Sequence, residues 1–216
     1  MSQETPSLTA VVFDIGGVLL EWDPHHLYAE LIPDQTERDW FLAEVCTFEW
    51  NLTLDAGRPF DEACAELADR HPNYAELIHA WKRQDQMIVG EVEGTVALVD
   101  LIQAQGLPLY LLTNMPAEVF AARLADYPVL QRFAGAVVSG DEGVLKPSSE
   151  IFDRLAGRFG LDPSTTLFID DSEINVAGAH QAGFLVHHFV DAPTLAAALR
   201  TLGVDLEVEG GVRPLP

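Results

Sequence analysis

Apolar residues gather along this chain in five short runs, each closed by polar or turn residues: Leu8–Phe13, Leu107–Leu112, Gly135–Ser139, Thr166–Ile169 and Phe184–His187. Short runs without strict alternation fit strands buried on both faces. Between most of them the apolar spacing becomes helical. Thr95–Gln105 sets Val96, Val99 and Ile102 on one face and stops at Gly106. Ser148–Phe159 sets Phe152, Leu155, Ala156 and Phe159 on one face, between Pro147 and Gly160. Ile174–Ala182 stops at Gly183, and Ala192–Leu202 stops at Gly203. Strands alternating with helices predict a parallel sheet with crossover helices, an α/β core of three layers.

One stretch breaks this rhythm. From about Asp23 to Glu91 no strand-like run stands out. The pattern there is helical, in Leu27–Leu31, Glu37–Val45, Phe60–Arg70 and Tyr74–Val89, separated by Pro33, Gly57–Pro59 and His71–Pro72. A helical module inserted after the first strand is predicted. The chain then divides into a discontinuous core, 1–22 with 92–216, and a small helical-bundle cap, 23–91. The tail from Glu209 to Pro216 reads as a frayed end.

Composition and charge narrow the class. The chain has 216 residues and 48% apolar content, enough for one sizeable core and a small inserted module. A formal charge of −22 argues against nucleic acid and anionic membrane as partners, since both need basic surfaces. No basic, apolar leader opens the chain, and no run reaches the roughly 18 apolar residues of a spanning helix. Cys46 and Cys64 are far apart and form no CxxC pair. They fit idle thiols in a reducing compartment, so a cytoplasmic location is expected. The acidity also sets a problem for an anionic substrate. Salt screens the repulsive field beyond about 8 Å, yet local cations must still hold such a ligand, and lysine occurs only at Lys82 and Lys146.

Three of the predicted strands deliver polar groups at their C-terminal ends: Asp14 after Val11–Phe13, Thr113 and Asn114 after Leu111–Leu112, and Asp170 and Asp171 after Leu167–Ile169. Ligands of open parallel sheets bind at that edge. A carboxylate abutting a buried run is costly unless it has a partner or a task. Asp14, Asp170 and Asp171 together would crowd negative charge. A hard divalent cation relieves that, and Mg²⁺ takes one or two carboxylates with waters and phosphate oxygens. Lys146, just before a helix start, adds a second positive charge.

Asp14–Ile15–Gly16–Gly17–Val18 resembles the first motif of the haloacid dehalogenase-like superfamily, Thr113–Asn114 its second and Lys146–Pro147 its third. Asp170–Asp171–Ser172–Glu173–Ile174–Asn175 resembles its fourth. The inserted helices look like the cap of one subclass, and the resemblance runs from about Thr9 to Leu202. The chain is most similar to small sugar-phosphate phosphatases, through Phe13-Asp14-x-Gly16-x-Val18, Tyr127–Pro128, Ser139–Gly140–Asp141–Glu142–Gly143 and the Asp pair. The resemblance implies a Rossmann-like core under a helical cap and Mg²⁺-dependent hydrolysis of a phosphorylated small molecule. In that scheme Asp14 attacks phosphorus and forms an aspartyl-phosphate. Thr113, Asn114 and the backbone N–H groups of Gly16 and Gly17 hold phosphoryl oxygens. Lys146 neutralises the transferring group and steadies Asp14. Mg²⁺ sits on Asp14, Asp171 and the Gly16 carbonyl, with Asp170 behind them or linked by water. Asn175 and Ser172 support the site, Asn175 by returning toward Lys146 or the metal waters, and Glu142 orients a loop beside Lys146.

Most phosphatases of the superfamily carry a second Asp two residues after the nucleophile, which protonates the leaving oxygen and activates water. Here that position is Gly16. The carbonyl survives for a metal, but an acid–base group typically worth about 10² to 10⁴ in rate is gone. Three readings stay open. The substrate has a good leaving group, such as an anomeric sugar phosphate, and water or a cap residue moves the proton. Or the enzyme is a 2-haloacid dehalogenase, whose halide leaves without a proton and which needs no metal. Or the protein binds a ligand or regulates without turnover. The retained Asp170–Asp171 pair favours metal and phosphate. In the cap, His25 or His26 could supply the proton, Trp50 could stack on a sugar ring, and Arg58 could meet an anionic substrate. His187 and His188 read as structural. The sugar and the oligomeric state are not legible.

Overall fold

Side chains alternate across the first strand: Val11 and Phe13 join one buried cluster and Val12 another, so helices must cover both faces. The computed structural model describes residues 8–206. Its strands in chain order are β1 (Ala10–Phe13), β2 (Leu20–Trp22), β3 (Ile88–Glu91), β4 (Leu109–Thr113), β5 (Gly135–Val138), β6 (Thr166–Asp170) and β7 (Leu185–His188). Five form a parallel sheet in the order β5–β4–β1–β6–β7. The helices are α1 (Pro24–Leu31), α2 (Gln35–Glu44), α3 (Phe48–Asp55), α4 (Phe60–Arg70), α5 (Ala75–Ala80), α6 (Thr95–Ala104), α7 (Ala117–Asp126), α8 (Ser139–Glu142), α9 (Ser149–Phe159), α10 (Glu173–Gln181) and α11 (Ala192–Thr201). Leu98, Val99 and Ile102 of α6 and Leu195 and Leu199 of α11 pack with Val11 and Phe13. Ile151, Phe152 and Leu155 of α9 and Ala179 of α10 pack with Val12, Leu112 and Phe168 on the other face. This is the three-layer α/β core that the apolar runs predict.

Helices α1 to α5 build a separate core around Tyr28, Phe41, Trp50, Leu54, Cys64 and Trp81, with Tyr28 against both Phe41 and Trp81. Both cysteines are free and buried there. The insertion is not purely helical. Strands β2 and β3 pair antiparallel, Leu20 with Glu91 and Trp22 with Ile88, and bracket it like a clasp. The expected helix over Tyr74–Val89 is also broken. It resolves into a 3₁₀ turn at Pro72–Tyr74, α5, a second 3₁₀ turn at Gln84–Met87, and β3. Gln84 Nε2 donates to the Trp81 carbonyl at 2.8 Å, which engages an acceptor that a continuing helix would use, and Ile88 turns in to pair with Trp22. We propose the same division of the chain, 1–22 with 92–216 and 23–91, because this clasp lies at its two crossings.

Cap and core meet closely at one point. Gly57, at φ +97°, rests on the backbone of Gly140, where an added Cβ would stand 2.8 Å from the Gly140 carbonyl oxygen. Beside it Ser139 Oγ donates to the Asp55 carbonyl at 2.5 Å. Among the described residues no helix is long and apolar enough to cross a membrane. The expected frayed tail, Glu209–Pro216, lies outside the described residues.

Candidate active site

Parallel pairing brings the C-terminal ends of β1, β4 and β6 to one edge, and the predicted polar residues follow directly. Asp14, Thr113, Asn114, Lys146, Asp171, Ser172 and Asn175, with Gly16 and Gly17, all line one cavity of about 480 Å³. Its other walls come from the clasp and the cap, with Trp22, Ile88, Phe48, Asn51, Leu52, Asp55 and Gln84, and from the core, with Met115, Val119 and Ile174.

Lys146 organises the floor. Its Nζ lies 2.9 Å from Asp14 Oδ2, 2.7 Å from Asp170 Oδ2 and 3.1 Å from the Leu112 carbonyl, so all three ammonium protons are engaged. Burial pulls this ammonium down, but Asp14 and Asp170 more than restore it, holding it above the usual lysine value. The loop carrying it is clamped by Asn114, whose Oδ1 accepts from Lys146 N at 2.8 Å and whose Nδ2 donates to Lys146 O at 3.1 Å. Both ends of the Asn114 amide thus hold the Lys146 backbone, while the residue itself lines the cavity. Thr113 Oγ1 makes no hydrogen bond among the described residues and faces the same cavity, which leaves it available to a ligand oxygen.

Asp14 follows β1 and is 8% exposed. Ile15 N donates to its Oδ1 at 2.7 Å, leaving Oδ2 toward Lys146. Burial pushes its carboxyl up to about 7, Lys146 opposes, and Asp170 and Asp171 add to the rise. Asp170 is fully buried and saturated. Ser172 N donates to its Oδ1 at 2.9 Å, Asn175 Nδ2 reaches Oδ1 at 3.1 Å and Oδ2 at 3.3 Å, and Lys146 takes Oδ2. Asn175 therefore anchors Asp170 rather than Lys146. Asp171 is differently placed: the residue as a whole is exposed, but its carboxyl is partly shielded from water, and that desolvation together with Asp170 raises its pKa. Carboxylate oxygens of Asp14, Asp170 and Asp171 lie within 4.8 Å of one another, a spacing that could hold a metal ion.

The turn after Asp14 is tight, with Leu19 N and Leu20 N both donating to Ile15 O at 2.9 Å. Gly17 sits in it at φ +71°, and a Cβ there would lie 2.2 Å from Asp171 Oδ2. Gly17→Ala is expected to displace the Asp171 carboxylate and to lower stability by about 1–2 kcal/mol through the left-handed backbone alone. Urea unfolding checks this, and an unchanged midpoint would show that the turn absorbs the methyl.

Several cap expectations are corrected. Trp50 points into the cap core, edge-on to Trp81 at 5.4 Å, and does not line the cavity, because its large apolar ring fills the space between helices. Arg58 pairs with Glu62 and Glu66 on α4 and also lies off the cavity. His25 is half-exposed between Asp23 and Asp39, outside the cavity with His26. Glu142 pairs with Arg154 and Arg158 and holds the loop before α9, as a structural strut. His187 and His188 stay with β7, His188 Nε2 meeting the Asp171 carbonyl at 2.9 Å. The residue that sequence reasoning passes over is Asp55. It ends α3, is 7% exposed and lines the cavity opposite Asp14 and Lys146.

Among known proteins, the chain is 26% identical over 195 residues to the sesquiterpene phosphatase astK of Aspergillus oryzae, spanning 89% of this chain and 95% of that one. It is 23% identical over 198 residues to a phosphorylated carbohydrates phosphatase of Thermotoga maritima, spanning 88% and 91%. A HAD family enzyme of Bacteroides thetaiotaomicron, solved in complex with magnesium and inorganic phosphate, shares the fold with a TM-score of 0.63. It is 22% identical, covering 85% of this chain and 95% of that one. The haloacid dehalogenase-like hydrolase model matches residues 8–183, which take in the strand ends bearing Asp14, Thr113 and Asp171, and the chain belongs to that hydrolase family.

Proposed function

We propose that the protein is a Mg²⁺-dependent phosphatase of small phosphorylated metabolites, with Asp14 as the nucleophile. The observation that carries this reading is one carboxylate, Asp14, held 2.9 Å from a buried lysine and beside two further carboxylates at the end of a cavity. Three carboxylates facing one ammonium leave the cluster short of positive charge. The donor set is all oxygen, which suits a hard cation. Asp14, Asp171 and the Gly16 carbonyl would hold Mg²⁺, because the oxygens of Asp170 are already taken by Lys146, Ser172 and Asn175. When bound, the ion supplies Lewis-acid polarisation of a phosphoryl oxygen and balances its charge. A 2-haloacid substrate would call for the nucleophile but not for this cluster. The Aspergillus oryzae and Thermotoga maritima relatives both bear phosphatase names.

The Asp14 carboxylate is the attacking group, its Oδ1 held by Ile15 N and its Oδ2 by Lys146 Nζ. Lys146 balances its charge and fixes its direction, and Thr113 Oγ1 with the Gly16 N–H receives the phosphoryl oxygens; the Gly17 N–H, expected to share that task, instead donates to the Leu20 carbonyl at 2.9 Å and closes the turn. For the organic part, the resemblance favours a sugar phosphate. The walls beyond the phosphate end present Trp22, Phe48, Leu52, Ile88, Met115 and Val119, and of their polar side chains Asn51 and Gln84 are already bonded within the cap. Sugar hydroxyls would find few partners there, so the walls favour an organic group with an apolar face.

Phosphate release should be followed from an aryl phosphate, a sugar-phosphate panel and a prenyl monophosphate, with Mg²⁺ and with chelator. Turnover is expected with Mg²⁺ and is lost on chelation, and Mg²⁺ also raises the melting temperature of the wild type but not of Asp171→Asn. Halide release from 2-chloropropionate that ignores chelator would make the protein a dehalogenase. No turnover of either kind, with stabilisation by a phosphorylated ligand, would make it a binding protein.

A further inference from the structure

The phosphatase reading leaves one chemical task without a residue, since Gly16 offers no side chain to protonate the leaving group. We propose that Asp55, carried by the cap, is the general acid of the first half-reaction and the general base of the second. The inference rests on the phosphatase reading and assigns to the cap a role beyond selecting substrate.

The hydrogen bonds around Asp55 fix where its proton sits. Trp81 Nε1 can only donate, and it lies 3.0 Å from Asn51 Oδ1. That settles the orientation of the Asn51 amide, whose Nδ2 then donates to Asp55 Oδ2 at 2.9 Å. Oδ2 is thus the acceptor oxygen, and Oδ1 accepts no hydrogen bond among the described residues. A proton on the acid therefore belongs to Oδ1, on a carboxyl group that lines the cavity. The neutral form is favoured here. Asp55 is the last residue of α3, at the negative end of the helix, where a carboxylate is disfavoured. Burial pushes its carboxyl up to about 8, Asp14 across the cavity adds to the rise and Lys146 opposes it. Those two are the charged groups that face it. Asn51 and Trp81 in the cap and Ser139 in the core are uncharged. Ser139 Oγ holds the Asp55 carbonyl at 2.5 Å, so the acid is fixed to the core as well as to the cap.

The step balances as follows. A carboxylate oxygen of Asp14 forms a bond to phosphorus as the bond from phosphorus to the ester oxygen breaks. The departing oxygen keeps the bonding pair and takes the proton from Asp55 Oδ1, so an alcohol leaves and Asp55 becomes a carboxylate. Water then attacks the phosphorus of the aspartyl-phosphate and gives its proton to Asp55. The bond from phosphorus to Asp14 breaks, and inorganic phosphate leaves with both aspartates restored.

The test compares leaving groups in a single turnover. Nitrophenolate leaves without a proton and benzyl alcohol does not, so p-nitrophenyl phosphate and benzyl phosphate are the two probes. In Asp55→Asn, the first turnover of benzyl phosphate is expected to slow about 10²- to 10³-fold, within the range of lost general acid help. The first turnover of p-nitrophenyl phosphate should change less than about tenfold on the same grounds. Later turnovers of both slow, because Asp14 stays phosphorylated, which mass spectrometry reads as one retained phosphoryl group. In the wild type, the benzyl rate falls as pH rises through about 8, while the first nitrophenolate turnover lacks that dependence on Asp55. Asn51→Leu, which leaves the acid but removes its tether, should show a smaller loss with the same leaving-group bias. Equal loss with both probes, or no loss with either, overturns the assignment of Asp55 and leaves the phosphatase reading standing. A wild type that releases nothing from p-nitrophenyl phosphate overturns both.

Discussion

Asparagine in place of Asp14 lowers phosphate release from p-nitrophenyl phosphate by at least about 10⁴-fold, the scale on which an enzyme loses its nucleophile. The amide keeps the shape of the carboxyl group but cannot form an acyl phosphate. The site is already buried and already disfavours charge, as the upward shift of this carboxyl to about 7 shows. The variant should therefore melt close to the wild type. Rate and stability then part company, which separates a chemical role from a structural one. Residual turnover within tenfold of the wild type would move the nucleophile elsewhere and undo the phosphatase reading.

The second large effect is on Lys146. It is 3% exposed, and its ammonium serves Asp14, Asp170 and the Leu112 carbonyl at once. Lys146→Met keeps the bulk and removes the charge. Two carboxylates are then left facing each other in a buried place, and breaking such a pair typically costs about 3–5 kcal/mol. For a chain of this size that corresponds to a fall in melting temperature of roughly 6–20 °C. Activity should fall by about 10²- to 10³-fold as well, since a preorganised charge beside the transferring group is lost. Calorimetry and the aryl phosphate assay check the two halves. A variant that melts within a degree or two of the wild type would show that Asp14 and Asp170 are not held by charge, and that Lys146 is dispensable to the fold.

The core was legible because a parallel sheet covered on both faces needs short, almost wholly apolar strands, and β1, β4, β5, β6 and β7 announce themselves that way. Their tips carry polar residues that no packing argument explains, so Asp14, Thr113 and Asp171 were legible too, and Lys146 stood out as one of two lysines, just before a helix start. The cap was harder. Strand β2 has three residues and β3 has four including Gly90, too few for a period to show. In the core, helix α7 lies in a stretch for which no helix was predicted. Helix α3 hides for a physical reason: it buries Trp50 and Leu54 on one side but also buries Asn51 and Asp55 toward the cavity. A helix whose inward positions are partly polar has no one-sided apolar stripe. The feature that conceals α3 from pattern reading, an acid and an amide turned inward, is the feature that makes it chemically interesting. Trp50 went the other way: its ring suggested stacking on a ligand, and the space it fills is between helices.

The contact of Gly57 with Gly140 is main chain against main chain. The clearance between cap and core at that point is therefore set by backbone, and no rotamer change can alter it. The walls are another matter, since Phe48, Leu52 and Ile174 can be exchanged without touching that clearance. Such an arrangement lets a lineage retune which molecules enter while the seat of the cap on the core is inherited unchanged.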